Sequence, residues 1–418
     1  MRNEKISNPK SAIRNQKIEF ATFKKYIMIR DVGHTGMLRR VAINVGAGYL
    51  PGINTVITGA ARAAGLMGWE IVGIRDGFQG LLHPDRYPSG GLVTLSPQMI
   101  ADVDPLGEGI LGQAPMIDPF HDTTQNDGDK VAEVDHSDEI LKRLKAENID
   151  ALISVVGNQG LGILYKLHRK GIPTVCIPKS IENDIPATSI SFGFNTALSF
   201  TIDMLVRAKH AARMNHKVAI VEVIGDQAGW LAMQAGIAIS ADAVLIPEIL
   251  YNLNMLARRL DDKMSARKPY GLVIVANGVK LCKNSPGERD TSSVEASLKP
   301  VATEPVMIPD GKTAETLVKE LRLLTGHEAY PLVIGPWARA GSPTAMDLQL
   351  GMAYGAGAIN ALKASKNGVM VVFAPPEIKY VPLAEVIDKV RIVTADSEFL
   401  NIAGSLGIYY GNFSSKKL

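Results

Sequence analysis

Glu182 and Asp184 stand two residues apart in "PKSIENDI", residues 178–185, with Lys179 and Ser180 just before them. Phosphoryl transfer needs a cation or metal against the moving group and a base near the acceptor hydroxyl, and this octapeptide could supply part of both. A solvated turn in which Asp184 caps the next segment accounts for the same residues equally well. Two glycine turns could add anion contacts: "VGAGYLPG", with Gly46, Gly48 and Gly52, and "VGNQGLG", with Gly157, Asn158, Gln159 and Gly160. Such turns can aim backbone N–H groups at an anion, helped by a following helix N-terminus. Either one alone is a weak signal; two facing one cleft would be a stronger one.

These turns need strands to present them. "RRVAINVG", "WEIVGIRDG", "ALISVVG", "IPTVCIP", "HKVAIVEVIG", "AVLIPE", "YGLVIVANG", "PLVIG" and "GVMVVFAP" read as apolar strands. Between them lie helical patterns at 53–67, 136–147 and 344–365, and "TAETLVKELRLLTG" reads as an amphipathic helix ending at Gly326. Uniformly apolar strands alternating with helices predict parallel sheets covered on both faces, with ligands beyond the carboxyl ends of the strands. Residues 279–300 are polar and aperiodic and read as an excursion.

The chain has 418 residues, 46% of them hydrophobic, which is enough for two domains. A net charge of +3 with no basic stripe argues against a nucleic-acid partner. The longest apolar region is broken by glycines, Asn44, Pro51, Asn54 and Arg62, so no membrane span is expected. Two distant cysteines, Cys176 and Cys282, suggest no disulfide framework, and a reducing cytoplasm is the expected location. Residues 1–37 are polar and basic and read as a disordered extension or a start placed too early.

The ordered motifs carry a resemblance. "GAGYLPGIN", "IRDGFQGLL", "ILGQAP", "VGNQGLGIL", "PKSIENDI", "SFGFNTAL", "VEVIGDQAGWLA", "IPE" and "IGPWARAGSPTAMD" follow the order of the phosphofructokinase family's motifs, most closely those of its pyrophosphate-using and long bacterial branch. The resemblance implies two doubly wound α/β domains with the active site between them. The larger, donor-side domain would be 38–193 plus 338–390, and the smaller, sugar-side domain 194–337 plus 391–418.

The resemblance also assigns roles. Glu182 replaces the family's Asp base, with Lys179, Ser180 and Asp184 beside it. Asn158 replaces a metal-associated Asp and is a poorer Mg²⁺ ligand. Gln159 takes the position that separates ATP users from pyrophosphate users, and Tyr49 takes that of an acid in the first glycine loop. Expected arginines become Pro115, Asp226 and Tyr330, and an expected histidine becomes Pro336. Arg339 and Glu248 remain on the sugar side, and Lys217 replaces an Arg lent by a neighbouring subunit, which implies a homo-dimer or tetramer.

Three functions follow. The first is a phosphofructokinase-like protein with a rewritten cleft and weak or absent 6-phosphofructokinase activity, binding a small molecule or regulating an active paralogue. The second is a genuine pyrophosphate- or ATP-dependent 6-phosphofructokinase that uses Mg²⁺, with Glu182 as base and replacement cations from Arg75, Arg213 or Lys280. The third is an enzyme for a less anionic organic ligand, its site flattened by Tyr49, Pro115, Tyr330, Pro336 and Trp337.

Overall fold

The computed structural model describes residues 39–112, 118–125, 131–264, 268–281, 306–307 and 312–411. Pro115, Cys282, the 1–37 extension and most of the 279–300 excursion lie outside them.

The apolar runs form strands β1 (Arg40–Val45), β2 (Glu70–Ile74), β3 (Leu92–Thr94), β4 (Ala151–Val156), β5 (Thr174–Pro178), β6 (Val218–Val223), β7 (Ala243–Leu245), β8 (Gly271–Ala276), β9 (Ala329–Val333), β10 (Val369–Ala374) and β11 (Glu377–Pro382). A seven-stranded sheet has the order β11-β10-β5-β4-β1-β2-β3, and a four-stranded sheet the order β9-β6-β8-β7. The four-stranded sheet is parallel throughout. The larger one departs from the expected parallel arrangement at both edges, where β3 and β11 run antiparallel to their neighbours. β11 follows β10 after two residues, which leaves no room for a crossover helix, whereas β3 pairs back on β2 after the longer connection 75–91.

Strand alternation explains the layers. Val41, Ile43 and Val45 enter one core while Ala42 enters another; Ile153 and Val155 part in the same way from Leu152 and Val156. On β6, Ala219, Val221 and Val223 join the first core and Val218 and Ile220 a third. Each sheet is therefore apolar on both faces, and one core is shared between the two.

Helices Ile53–Gly65 and Ala345–Lys363 pack backbone to backbone. A Cβ on Gly59 would sit 2.4 Å from the Met352 carbonyl oxygen, so the small side chain is what permits this approach. Asp347, fully buried, accepts from the Gly193 and Thr196 N–H groups at 3.1 and 2.6 Å and so ties the Phe194–Asn215 helix to this pair. Among the described residues no helix is long and apolar enough to cross a membrane.

Candidate active site

The loops after β1, β4, β5 and β6 converge on one cleft of about 680 Å³. Its walls include Gly46 and Ala47 from the first turn; Gly157, Asn158, Gln159 and Gly160 from the second; and Lys179, Ser180, Glu182 and Asp184 from "PKSIENDI". Asp226, Arg339 and Lys389 also line it. The Asn158–Arg169 helix starts at this wall with Gly157 as its N-cap, so its positive end faces the cleft.

Glu182 is half-buried, and its carboxylate accepts from the Asp226 N–H at 3.3 Å. Burial, then the charges of Asp184 and Asp226, push its pKa up to about 7, against that N–H and Arg339. Around it the turn is closely tied. Ser180 Oγ donates to Asp184 Oδ1 at 2.5 Å and accepts from the Glu182 N–H at 3.1 Å. Asn183 is 1% exposed at φ 55°, a left-handed conformation that Asn tolerates better than most residues. Its side chain holds the fold of the turn by accepting from the Ser191 N–H at 2.9 Å.

Lys179 does not serve as the expected free cation. Its Nζ donates to the carbonyls of Gly46, Ala47 and Gly48, each at 2.7 Å, and the residue is 4% exposed. Burial, then Arg339, push its pKa down to about 7. The carbonyl contacts favour the ammonium and oppose that push. Gly48 itself is not on the cleft wall. At φ 89° it lies against Arg339, where a Cβ would come 3.2 Å from Nη1.

Beyond Asp226 the cleft continues into a recess of about 570 Å³ that Pro247, Glu248, Lys280 and Ile392 also line. Glu248 Oε1 accepts from Gly229 and Val393 N–H groups at 2.9 and 2.8 Å, while Oε2 is buried without a hydrogen-bond partner. Burial raises its pKa and the N–H contacts oppose that rise.

Several expected site residues lie elsewhere. The Tyr330 hydroxyl donates to the Ala208 carbonyl at 3.0 Å. Lys217 pairs with Glu328 at 4.0 Å, away from both recesses. Tyr49, Pro336 and Trp337 line neither recess, so they do not flatten the site. Of the three replacement cations, Lys280 alone lines a recess.

The residues expected to hold Mg²⁺ offer it few free oxygens. Among the described residues no group of three His, Cys, Asp or Glu could hold an ion. Asn158 is neutral, and its Nδ2 points to Lys389 O at 3.1 Å and to Asp184 Oδ2 at 3.4 Å. Both Asp184 oxygens thus already accept hydrogen bonds.

This is a cleft between two α/β sheets, presenting a carboxylate of raised pKa and an arginine. The family model for phosphofructokinase matches residues 40–362, and the chain belongs to the phosphofructokinase family. It is 30% identical over 377 residues to the ATP-dependent 6-phosphofructokinase 2 of Clostridium perfringens, covering 90% of this chain and 99% of that protein. It is also 30% identical over 354 residues to the pyrophosphate–fructose 6-phosphate 1-phosphotransferase of Dictyoglomus thermophilum, covering 85% and 95%. The crystal structure of a pyrophosphate-dependent phosphofructokinase from Marinobacter aquaeolei shares its fold, with a TM-score of 0.65 at 18% identity over 90% of this chain and 94% of that one.

Sequence reasoning missed residues 388–393. Asp388, Lys389 and Val390 line the cleft. The segment, "DKVRIV", mixes charged and apolar residues without a clear period and lies past the end of the family match, so no motif drew notice to it.

Proposed function

We propose that this chain is a phosphoryl-transferring enzyme of the phosphofructokinase type in which Glu182 takes the proton of the acceptor hydroxyl. One observation carries the reading. Glu182 stands on the wall of the shared cleft with its pKa raised to about 7, where a base is ionised and still holds a proton well. In the step, the acceptor O–H proton passes to the Glu182 carboxylate. The freed oxygen bonds to the donor's terminal phosphorus. The bond from that phosphorus to the donor's bridging oxygen breaks, and its electron pair leaves with the rest of the donor. Arg339, on the same wall, stabilises the negative charge that spreads over the transferred group.

Relatives named for ATP and for pyrophosphate stand at the same 30% identity, so both donors enter the test, with fructose 6-phosphate as acceptor. A second reading, binding without transfer, is favoured by the charge of the cleft. Asp76, Glu182, Asp184, Asp226 and Asp388 face Arg339, Lys389 and a Lys179 already committed to backbone. The experiment is a coupled assay with each Mg²⁺-loaded donor. Turnover on the order of 1 s⁻¹ with either, lost in Glu182→Gln, supports transfer. No turnover with either donor, together with calorimetric binding of the sugar phosphate, favours the second reading.

A further inference from the structure

Residues 388–393 touch loops from both sheets. On the side of the larger sheet, the Lys389 carbonyl accepts from Asn158 Nδ2 at 3.1 Å, and the Arg391 N–H donates to the Asp184 carbonyl at 2.7 Å. Arg391 Nη1 donates to the Asn183 carbonyl at 3.3 Å. On the other side, Trp230 Nε1 donates to the Arg391 carbonyl at 2.8 Å, and the guanidinium lies 4.3 Å from the Trp230 ring centre. The Val393 N–H then reaches Glu248.

We propose that residues 388–393 strap the Glu182 turn to the Trp230 helix, and that Arg391 is the positioning residue that holds Glu182 in register with the cleft. The kinetic part of this proposal rests on Glu182 being the base. The Glu182 carboxylate has one long backbone contact, to Asp226. Its place is therefore set by the backbone of its own turn. That backbone passes through the left-handed Asn183, whose carbonyl accepts from the Arg391 guanidinium, while the Asp184 carbonyl accepts from the Arg391 backbone N–H. Arginine suits the task because its planar head can donate along its edge while its face stacks on an indole. Lysine offers a point charge on a flexible stem and cannot do both in the same way.

The test uses the full chain with Arg391→Ala and Arg391→Lys, followed by hydrogen exchange and steady-state kinetics. Exchange at 181–185 is expected to quicken about tenfold in both variants, with β1 and β4 as protected as in the wild type. Turnover should fall on the order of a hundredfold, as a misplacement of about 1 Å in a reacting group costs. KM should stay within about twofold, because the lost interaction acts on the base and not on ground-state binding. Added guanidinium should restore part of the turnover of Arg391→Ala and none of that of Glu182→Gln. Unchanged exchange at 181–185 in both variants overturns the proposal. So does loss of protection throughout the chain in both, which would make Arg391 a residue of the whole fold, and so does quickened exchange with unchanged turnover. If the wild type itself turns nothing over, the exchange result still decides the strap, and only the enzyme reading falls.

Discussion

In the turn after β5, the polar groups of Lys179, Ser180, Asn183 and Asp184 all have protein partners. In the loop after β6, Asp226 and Gln227 stand exposed on the wall of the same cleft. The first loop is a rigid mount and the second an open rim. Both bring a carboxylate to the cleft, and the difference in burial gives the two acids different work. Burial is the main cause that holds Glu182 near 7, where it can exchange a proton. Asp226 acts on that site by its charge and by one backbone N–H.

The largest test of the contrast is Glu182→Gln. It keeps the shape of the mount and removes the base, so turnover should fall on the order of a thousandfold with little change in KM. Before substitution, kcat/KM should rise with pH through about 7, as the raised Glu182 carboxyl ionises. A flat profile between pH 5 and about 8 would take the proton-accepting role away from Glu182.

Next is the mount itself. Lys179→Met fills similar space but leaves the carbonyls of Gly46, Ala47 and Gly48 without their buried donor. Unsatisfied buried groups of this kind cost about 1–3 kcal/mol each, and partial relaxation brings the expected loss to about 3 kcal/mol in urea unfolding. A loss below about 1 kcal/mol would mean the turn does not depend on the ammonium.

A smaller effect has the opposite sign. The folded chain holds the Glu182 proton up to about pH 7, whereas the unfolded chain releases it near the ordinary value of 4.5. The folded state therefore binds more protons in that window, and this group's contribution to stability is complete below 4.5 and lost as pH rises through about 7. Glu182→Gln lacks the loss. It should match the wild type at low pH and exceed it by about 2 kcal/mol at pH 8, after discounting for partial exposure. A variant more active and less stable than the wild type at pH 8 would contradict both expectations for this residue.

The same contrast explains what could be read from the chain. β1, β4, β6 and β8 were legible because a strand covered on both faces is apolar at nearly every position, with Asn44, Ser154 and Glu222 the buried exceptions. The "PKSIENDI" turn was legible as a place, since it follows such a strand. The direction of Lys179 was not, because residue type does not tell whether an ammonium meets a ligand or the carbonyls of a turn more than a hundred residues upstream. Tyr330 failed for a similar reason: its strand lies where expected, but its hydroxyl turns to the Ala208 carbonyl. Arg391 escaped because its partners are mainly backbone carbonyls and an indole, which leave no pattern of spacing in the sequence. The antiparallel strands β3 and β11 escaped because pairing direction depends on the connection more than on strand composition.

The smallest expected effect, at Asp226→Asn, bears most directly on the rim. Asn keeps the shape and the backbone N–H that Glu182 accepts, and removes only the charge. Because the residue is exposed, stability should change by less than about 0.5 kcal/mol. That charge is one of the causes raising the Glu182 pKa, so the acid limb of kcat/KM should move to lower pH. A multiply charged donor would also meet one repulsion fewer. At an effective dielectric of about 20 a like charge at ~6 Å costs nearly 3 kcal/mol before screening, and solvent at an open rim leaves about 1 kcal/mol of it, or roughly a fivefold gain in pyrophosphate affinity. The gain should shrink as salt is raised from about 0.01 M to about 0.5 M, since exposed charges are screened over shorter distances. If affinity and pH limb both stay where they are, Asp226 faces solvent alone, and the cleft's chemistry belongs entirely to the buried turn.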